Sequence, residues 1–335
     1  MNRNANKINM GFWEKLPRHF FCLAPLADVT DAAFRQIISK YSRHGEKDGG
    51  PDVFWTEFVS ADGLASAQGR EKLVIDLKYS ENERPIVAQL FSSKPENMFK
   101  AAQLAKELGF DGIDINMGCP DRAIERQGTG AAHIKDPKVA QEVIRAAQEG
   151  APGLPISVKT RTGYNVNQIE TWVPLLLEMN IAALTIHART RKEMSKVPAQ
   201  WDTIKRAVEI RNESGKNTLI IGNGDVKDIA DGIQKAEESG ADGVMLGRAI
   251  FGNPWLFDRT RDIDSISLEE KLQVMVEHTK LFETLLGQYK NFSIMKKHYK
   301  AYVQGFEGAR ELRMKLMQSN STQEVEEIVS NFKRE

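Results

Sequence analysis

The run GIDINMGCPDR (Gly112–Arg122) sets Cys119 between a glycine and a proline, just past an apolar segment that reads as a buried strand. Gly118 and Pro120 punctuate the backbone there, so the thiol is expected on a loop and not in a packed interior. Three readings are open to it. It could be a small buried residue, although its neighbours argue for a loop. It could be a nucleophile, although no base adjoins it in the sequence. It could be a proton donor, because an accessible thiol of pKa about 8.5 is mostly protonated at neutral pH. Cys22, the other cysteine, lies inside the run FCLAPLA and reads as core.

Other polar groups recur at the ends of apolar runs. Lys159 and Arg161 end PISVKTR, and His187 and Arg189 end ALTIHAR. Lys159 and His187 could share one ligand, such as a cofactor with a delocalised anionic ring. A core histidine is the plain alternative for His187. A surface lysine is a weaker alternative for Lys159, because a lysine on a buried strand needs a partner. Two glycine turns follow, GNGD (Gly222–Asp225) and Gly247-Arg248. Glycine lets backbone amides approach an anion closely, so the pair reads as a phosphate site, with ordinary strand-to-helix turns as the alternative.

Eight short apolar runs must hold these groups: Phe21–Ala27, Val53–Phe58, Pro85–Phe91, Gly112–Gly118, Pro155–Arg161, Ala183–Arg189, Thr218–Gly224 and Gly243–Arg248. Their length and continuous apolarity suit parallel strands buried on both faces. Helical patterns alternate with them. PENMFKAAQLAKELG has proline near its start and glycine at its end, and DPKVAQEVIRAAQEG adds Asp136 as an N-cap and Gly150 as its close. The segment VSADGLASAQGREK is the weakest helix. No GxGxxG follows the first strand, which disfavours a doubly wound dinucleotide fold. The pattern predicts an α/β protein, a (β/α)₈ TIM barrel over residues 1–258, followed by a small all-helical C-terminal domain over 259–335. In such a barrel, polar groups at the C-terminal strand ends form the active-site face.

Composition narrows the class. The 335 residues carry 46 basic and 46 acidic side chains, so a uniformly basic nucleic-acid binder is disfavoured while a local basic patch is not. Two distant cysteines make no zinc site or disulfide framework, and no metal is expected. The N-terminus MNRNANKINMGFWEKLPRHF has no apolar leader core, and no run reaches the length of a membrane span. A cytoplasmic monomer is the expectation. From Lys290 to Lys315 seven basic residues face two acidic ones. That is either a track for a nucleic-acid backbone or a solvated helix face.

The motifs LAPLADVTDAAFR, VAQLF, GIDINMGCP, GTGAAHIKDP, VKTRTG, LTIHARTR, GNGD and GVMLGRAIFGNPWLF, in this order, resemble the tRNA-dihydrouridine synthase family over nearly the whole chain. The tail MKKHYKAYVQGFEGARELR is similar to the family's helical RNA-binding domain. The resemblance implies an FMN-dependent reductase of tRNA uridines with NADPH as reductant. It implies hydride transfer from reduced flavin to uracil C6 and a proton from Cys119 to C5. By the same resemblance Pro25, Leu26 and Ala27 line the flavin. Gln89, Lys159 and His187 bond its ring. Asn223, Asp225, Gly247 and Arg248 hold its ribityl chain and phosphate. Asn116, Lys159 and Arg161 place the uridine, and Arg189, Lys296, Lys297 and Arg310 add cations for tRNA. The target base would be flipped out of its stack to reach the barrel mouth. Two features depart from the family: His133, where an apolar residue is usual, and the insertion-like RHGEKDGGPD (Arg43–Asp52). The competing functions are an FMN-barrel reductase of a small molecule, such as a dihydroorotate dehydrogenase-like or enoate reductase-like enzyme, and a catalytically idle RNA-binding protein.

Overall fold

The computed structural model describes residues 8–332. The first seven residues and the last three lie outside that range.

Among the described residues nine strands form: β1 (Phe20–Leu23), β2 (Phe54–Trp55), β3 (Val59–Ser60), β4 (Ile86–Phe91), β5 (Gly112–Met117), β6 (Ile156–Arg161), β7 (Ala183–His187), β8 (Leu219–Asn223) and β9 (Gly243–Leu246). They pair in the order β1-β9-β8-β7-β6-β5-β4-β2, all parallel, and a Cys22–Val53 bridge brings β1 and β2 together to close the ring. The expected single strand Val53–Phe58 is instead split. Thr56 turns its hydroxyl to accept the Gln89 amide at 3.0 Å, and Glu57 turns to accept the Asp28 amide, so the ladder breaks there. β3 resumes pairing on β4 at Val59. Register then sets the site. Gln89 lies beside Asp114, Asp114 beside Ser157, Asn116 beside Lys159, and His187 beside Asn223.

The barrel is a packed core and not a pore. Trp13 caps its lower end against Phe20 and Trp55, with both ring centroids at 5.9 Å. A larger apolar layer fills the space between strands and surrounding helices. Those helices are α1 (Ala32–Tyr41), the short α2 (Ala61–Ala65) and α3 (Ala67–Leu73), α4 (Pro95–Glu107), α5 (Arg122–Glu125), α6 (Pro137–Gly150), α7 (Ile169–Leu177), α8 (Asp202–Ser214) and α9 (Ile229–Ser239). Their starts follow the expected chemistry: Asp136 accepts the Val139 amide at 3.2 Å, and proline leads both α4 and α6. α6 ends at Gly150, as the sequence suggested, with Ala151 as its C-cap. A Cβ at Gly150 would meet the Phe99 carbonyl oxygen at 2.3 Å, so the glycine also serves the α4–α6 contact. His133 is fully buried, with Nδ1 3.2 Å from the Gly130 carbonyl oxygen and Nε2 3.1 Å from the Ser92 carbonyl oxygen; burial lowers its pKa.

The C-terminal part is helical, with α10 (Leu268–Leu286), α11 (Met295–Tyr302), α12 (Ala309–Leu316) and α13 (Thr322–Phe332). α10 packs on α1, where His278 stacks on Phe34 with centroids 4.8 Å apart. Lys40 and Tyr41 both reach Glu277 at 2.6 Å. At the barrel mouth, Lys290 bonds Glu57 at 2.6 Å and Asp76 at 2.8 Å, and Lys297 bonds Asp28 at 3.0 Å. Among the described residues, no helix is long and apolar enough to cross a membrane, and no three His, Cys, Asp or Glu side chains gather as a metal site.

Candidate active site

The C-terminal strand ends open into a cavity of about 330 Å³. One wall is apolar: Ala24, Pro25, Leu26 and Ala27 from the loop after β1, with Phe58. That loop is held by the Thr30 hydroxyl, which accepts the Leu26 amide at 2.8 Å. The floor is polar, made by Gln89, Asn116, Lys159, His187 and Asn223. Cys119, Pro120 and Arg161 form one side of the mouth, and Asp225, Gly247 and Arg248 the other. The register of a parallel barrel thus gathers residues scattered over more than two hundred positions of sequence.

Cys119 is half-buried on a tightly held loop. The amides of Gly118 and Cys119 donate to Asn116 Oδ1 at 3.1 and 2.9 Å. Arg161 Nε donates to the Gly118 carbonyl at 2.8 Å, and the Cys119 carbonyl accepts the Ala131 amide at 2.9 Å. Gly130 must be glycine here: its φ is +62°, and a Cβ would lie 2.7 Å from the Cys119 carbonyl oxygen. Burial pushes the Cys119 thiol up, against the opposing pull of the Asp121 amide. The thiol therefore carries its proton at neutral pH. Of the three readings open from sequence, proton donation fits this environment.

Lys159 stands in the floor with Nζ 3.4 Å from Asn223 Oδ1. Asn223 presents its oxygen because its Nδ2 donates to the Met245 carbonyl at 2.8 Å. Burial and the nearby Arg161 lower the Lys159 pKa to about 8, with Asp114 opposing. His187 is lowered to about 2 by burial and by the cations Arg161, Lys159, Arg189 and Arg248. It is a neutral ring at working pH. Arg189 Nη1 donates to His187 Nε2 at 3.1 Å, so the ring proton resides on Nδ1.

The other expected residues divide. Arg161 lines the cavity, but its Nη1 is engaged by the Thr190 and Met194 carbonyls at 3.1 Å. Its main contacts hold loops in place. Arg189 is 2% exposed and does not line the cavity; it supports His187, bonds the Val197 carbonyl and pairs with Asp225. Asp225 also pairs with Arg248 at 2.7 Å, so its carboxylate orients the arginine. Lys296 and Lys297 on α11 and Arg310 on α12 lie outside the cavity lining. Phe58 and Ser195 line the cavity without having been marked in the sequence. Phe58 lies just past the broken β2, and Ser195 lies on the loop after β7, eight residues beyond the strand end. Neither position carries a local signal.

The family described as Dihydrouridine synthase (Dus) matches residues 22–335. The chain belongs to this family. Among curated dihydrouridine synthases, it is 41% identical to "Probable tRNA-dihydrouridine synthase 2" of Bacillus subtilis (strain 168) over 325 residues, covering 96% of this chain and 97% of that one. It is 42% identical to "Probable tRNA-dihydrouridine synthase" of Staphylococcus aureus (strain COL), covering 96% and 95%. Among solved structures, a complex of 2-naphthoyl-CoA reductase with 2-naphthoyl-CoA aligns over 72% of the chain with a TM-score of 0.51 and 10% identity. The alignment spans 49% of that longer protein, and at this identity the likeness concerns the barrel fold alone.

Proposed function

We propose that this protein reduces uridines in tRNA to 5,6-dihydrouridine, with Cys119 as the proton donor to C5 and FMN as the cofactor bound in the barrel mouth. The observation that carries the reading is the half-buried, protonated thiol of Cys119 at the rim of a cavity whose floor is polar and holds the cationic Lys159. FMN bound there would supply the hydride for uracil C6, and NADPH would restore it.

The donor set fits such a group. A flat apolar wall of Pro25, Leu26 and Ala27 stands against Gln89, Lys159 and His187, which can bond a polar ring edge. The cationic Lys159 favours negative charge on that ring. Gly247 and the guanidinium of Arg248, 66% exposed at the mouth, suit a phosphate. Asp225 orients Arg248 and is not itself a phosphate ligand, since two carboxylate–arginine pairs occupy it. Arg161 and Asn116 fix the loop that aims the thiol into the cavity. Residues 1–258 act as the catalytic barrel and 259–335 as the tRNA-binding part, with Lys296, Lys297 and Arg310 contacting the backbone.

Replacing the thiol tests the reading. Cys119→Ala is expected to keep flavin absorbance and tRNA binding while dihydrouridine formation falls at least about a hundredfold, read by nucleoside mass analysis. Unchanged turnover on unmodified tRNA would overturn the acid role.

A further inference from the structure

Asp114 is fully buried beneath the cavity floor and does not line it. It is nonetheless one end of a continuous hydrogen-bonded chain that reaches Cys119. Ser157 Oγ donates to Asp114 Oδ1 at 2.6 Å, and Gln89 Nε2 donates to Asp114 Oδ2 at 2.7 Å. Asn116 Nδ2 donates to Gln89 Oε1 at 3.2 Å. Asn116 Oδ1 then accepts the Gly118 and Cys119 amides.

The direction of every bond in this chain is determined by its two ends. Backbone amides can only donate, so Asn116 must show them its oxygen. Its nitrogen then faces Gln89, which must answer with its own oxygen. The nitrogen of Gln89 is left pointing at Asp114, and a carboxylate is an acceptor on every side. If Gln89 turned over, two amide nitrogens would meet at Asn116, and the loop bearing Cys119 would lose its anchor or leave a buried donor unpaired.

We infer that Asp114 is a positioning residue for the Cys119 loop, acting through the amides of Gln89 and Asn116. It rests on the reading of Cys119 as proton donor for its meaning in catalysis, but not for its test. The arrangement also explains a buried charge. Burial raises the Asp114 pKa to about 6, with Ser157, Gln89 and Lys159 opposing. The carboxylate is thus ionised at pH 7 at some cost to the fold. That cost is offset by what it organises two rungs up the barrel.

The decisive experiment is alkylation of Cys119 by iodoacetamide across pH in the full-length chain. Cys22, 0% exposed, serves as the unreactive internal control. Asp114→Leu removes the acceptor and is expected to raise the Cys119 alkylation rate at least fivefold as the loop is released. Under turnover, kcat should fall while KM for tRNA changes little. Asp114→Asn is the conservative rescue. An asparagine can turn its oxygen to Gln89 and its nitrogen to the Ser157 hydroxyl, so its alkylation profile should stay within about twofold of native.

A folded Asp114→Leu chain with a native profile overturns the inference. So does an Asp114→Asn profile that moves as far as the leucine one, since charge alone would then be responsible. If the leucine variant does not fold, Asp114→Ser, too short to reach Gln89, replaces it. Loss of folding in both would make Asp114 a stability residue and likewise overturn the assignment. Full activity in Cys119→Ala, with the alkylation result as expected, would instead remove the acid reading and leave the positioning chain standing.

Discussion

Two buried lysines stand on different sides of the barrel mouth, and their surroundings send them in opposite directions. Lys159 rises from β6 among Arg161, Asn223 and His187. Burial and Arg161 lower its pKa to about 8, despite Asp114. Lys290, 12% exposed between α10 and α11, is also penalised by burial, but Glu57 and Asp76 outweigh that and raise its pKa above the ordinary value. Lys290 has its counter-charges within the protein and ties the helical part to the barrel. Among the described residues, the hydrogen-bond partner of Lys159 is an amide oxygen, Asn223 Oδ1, at 3.4 Å. An anionic ligand would supply the counter-charge it lacks. The contrast teaches that a buried cation marks a binding site when its own protein leaves it under-compensated, and a strap when it does not.

The largest effect should come from breaking the strap. Lys290→Met leaves Glu57 and Asp76 without their cation, and unfolding in urea should show a loss of roughly 3 kcal/mol or more. Native stability in that variant would remove the contrast. Lys159→Met should do the reverse. FMN affinity, read by fluorescence titration, should drop at least tenfold, while the ligand-free chain melts no lower than native. A clear loss of stability would show that Lys159 is already satisfied within the protein.

A pH titration sharpens the same comparison. FMN affinity should hold below pH 7 and fall as the pH rises through about 8, where Lys159 loses its charge. The sign for stability is opposite. The folded pKa lies below the ordinary 10.5, so this group's contribution to the ligand-free fold is complete above about 10.5 and is lost as the pH falls through about 8. Lys159→Arg should flatten both curves, because guanidinium stays charged across the range.

The smallest effect belongs to Lys297, 47% exposed in its pair with Asp28. Lys297→Ala should change stability by less than about 1 kcal/mol. If α11 meets a tRNA backbone, its tRNA affinity should fall a few-fold and the slope of log affinity against log salt should drop by about one. An unchanged salt slope would place the tRNA elsewhere.

Much of this was legible before any coordinates. Apolar runs of strand length, alternating with helices opened by Asp136 or proline, spelled out the barrel. Gly118 and Pro120 placed Cys119 on a loop, as found. The second strand was less legible because its break depends on Glu57 and Thr56, whose partners Asp28 and Gln89 are remote in sequence. Phe58 and Ser195 enter the cavity by loop path alone. The basic count in the tail was accurate as a count, but it did not reveal that Lys290 is already engaged by carboxylates while Lys297 stays half-exposed.

By itself the sequence determined which residues end the strands, because hydrophobic period and glycine or proline punctuation are local properties of the chain. It therefore placed Cys119, Lys159, His187 and Arg248 at one end of a barrel. Only the tertiary structure decided what those groups are. Strand register set Gln89 between Asp114 and Asn116, aimed Arg189 at His187 and Asp225, and left Lys159 beside an amide oxygen while Lys290 was set between two carboxylates. Hydrogen-bond direction and desolvation depend on which neighbours lie within a few ångströms, and those neighbours are chosen by the fold.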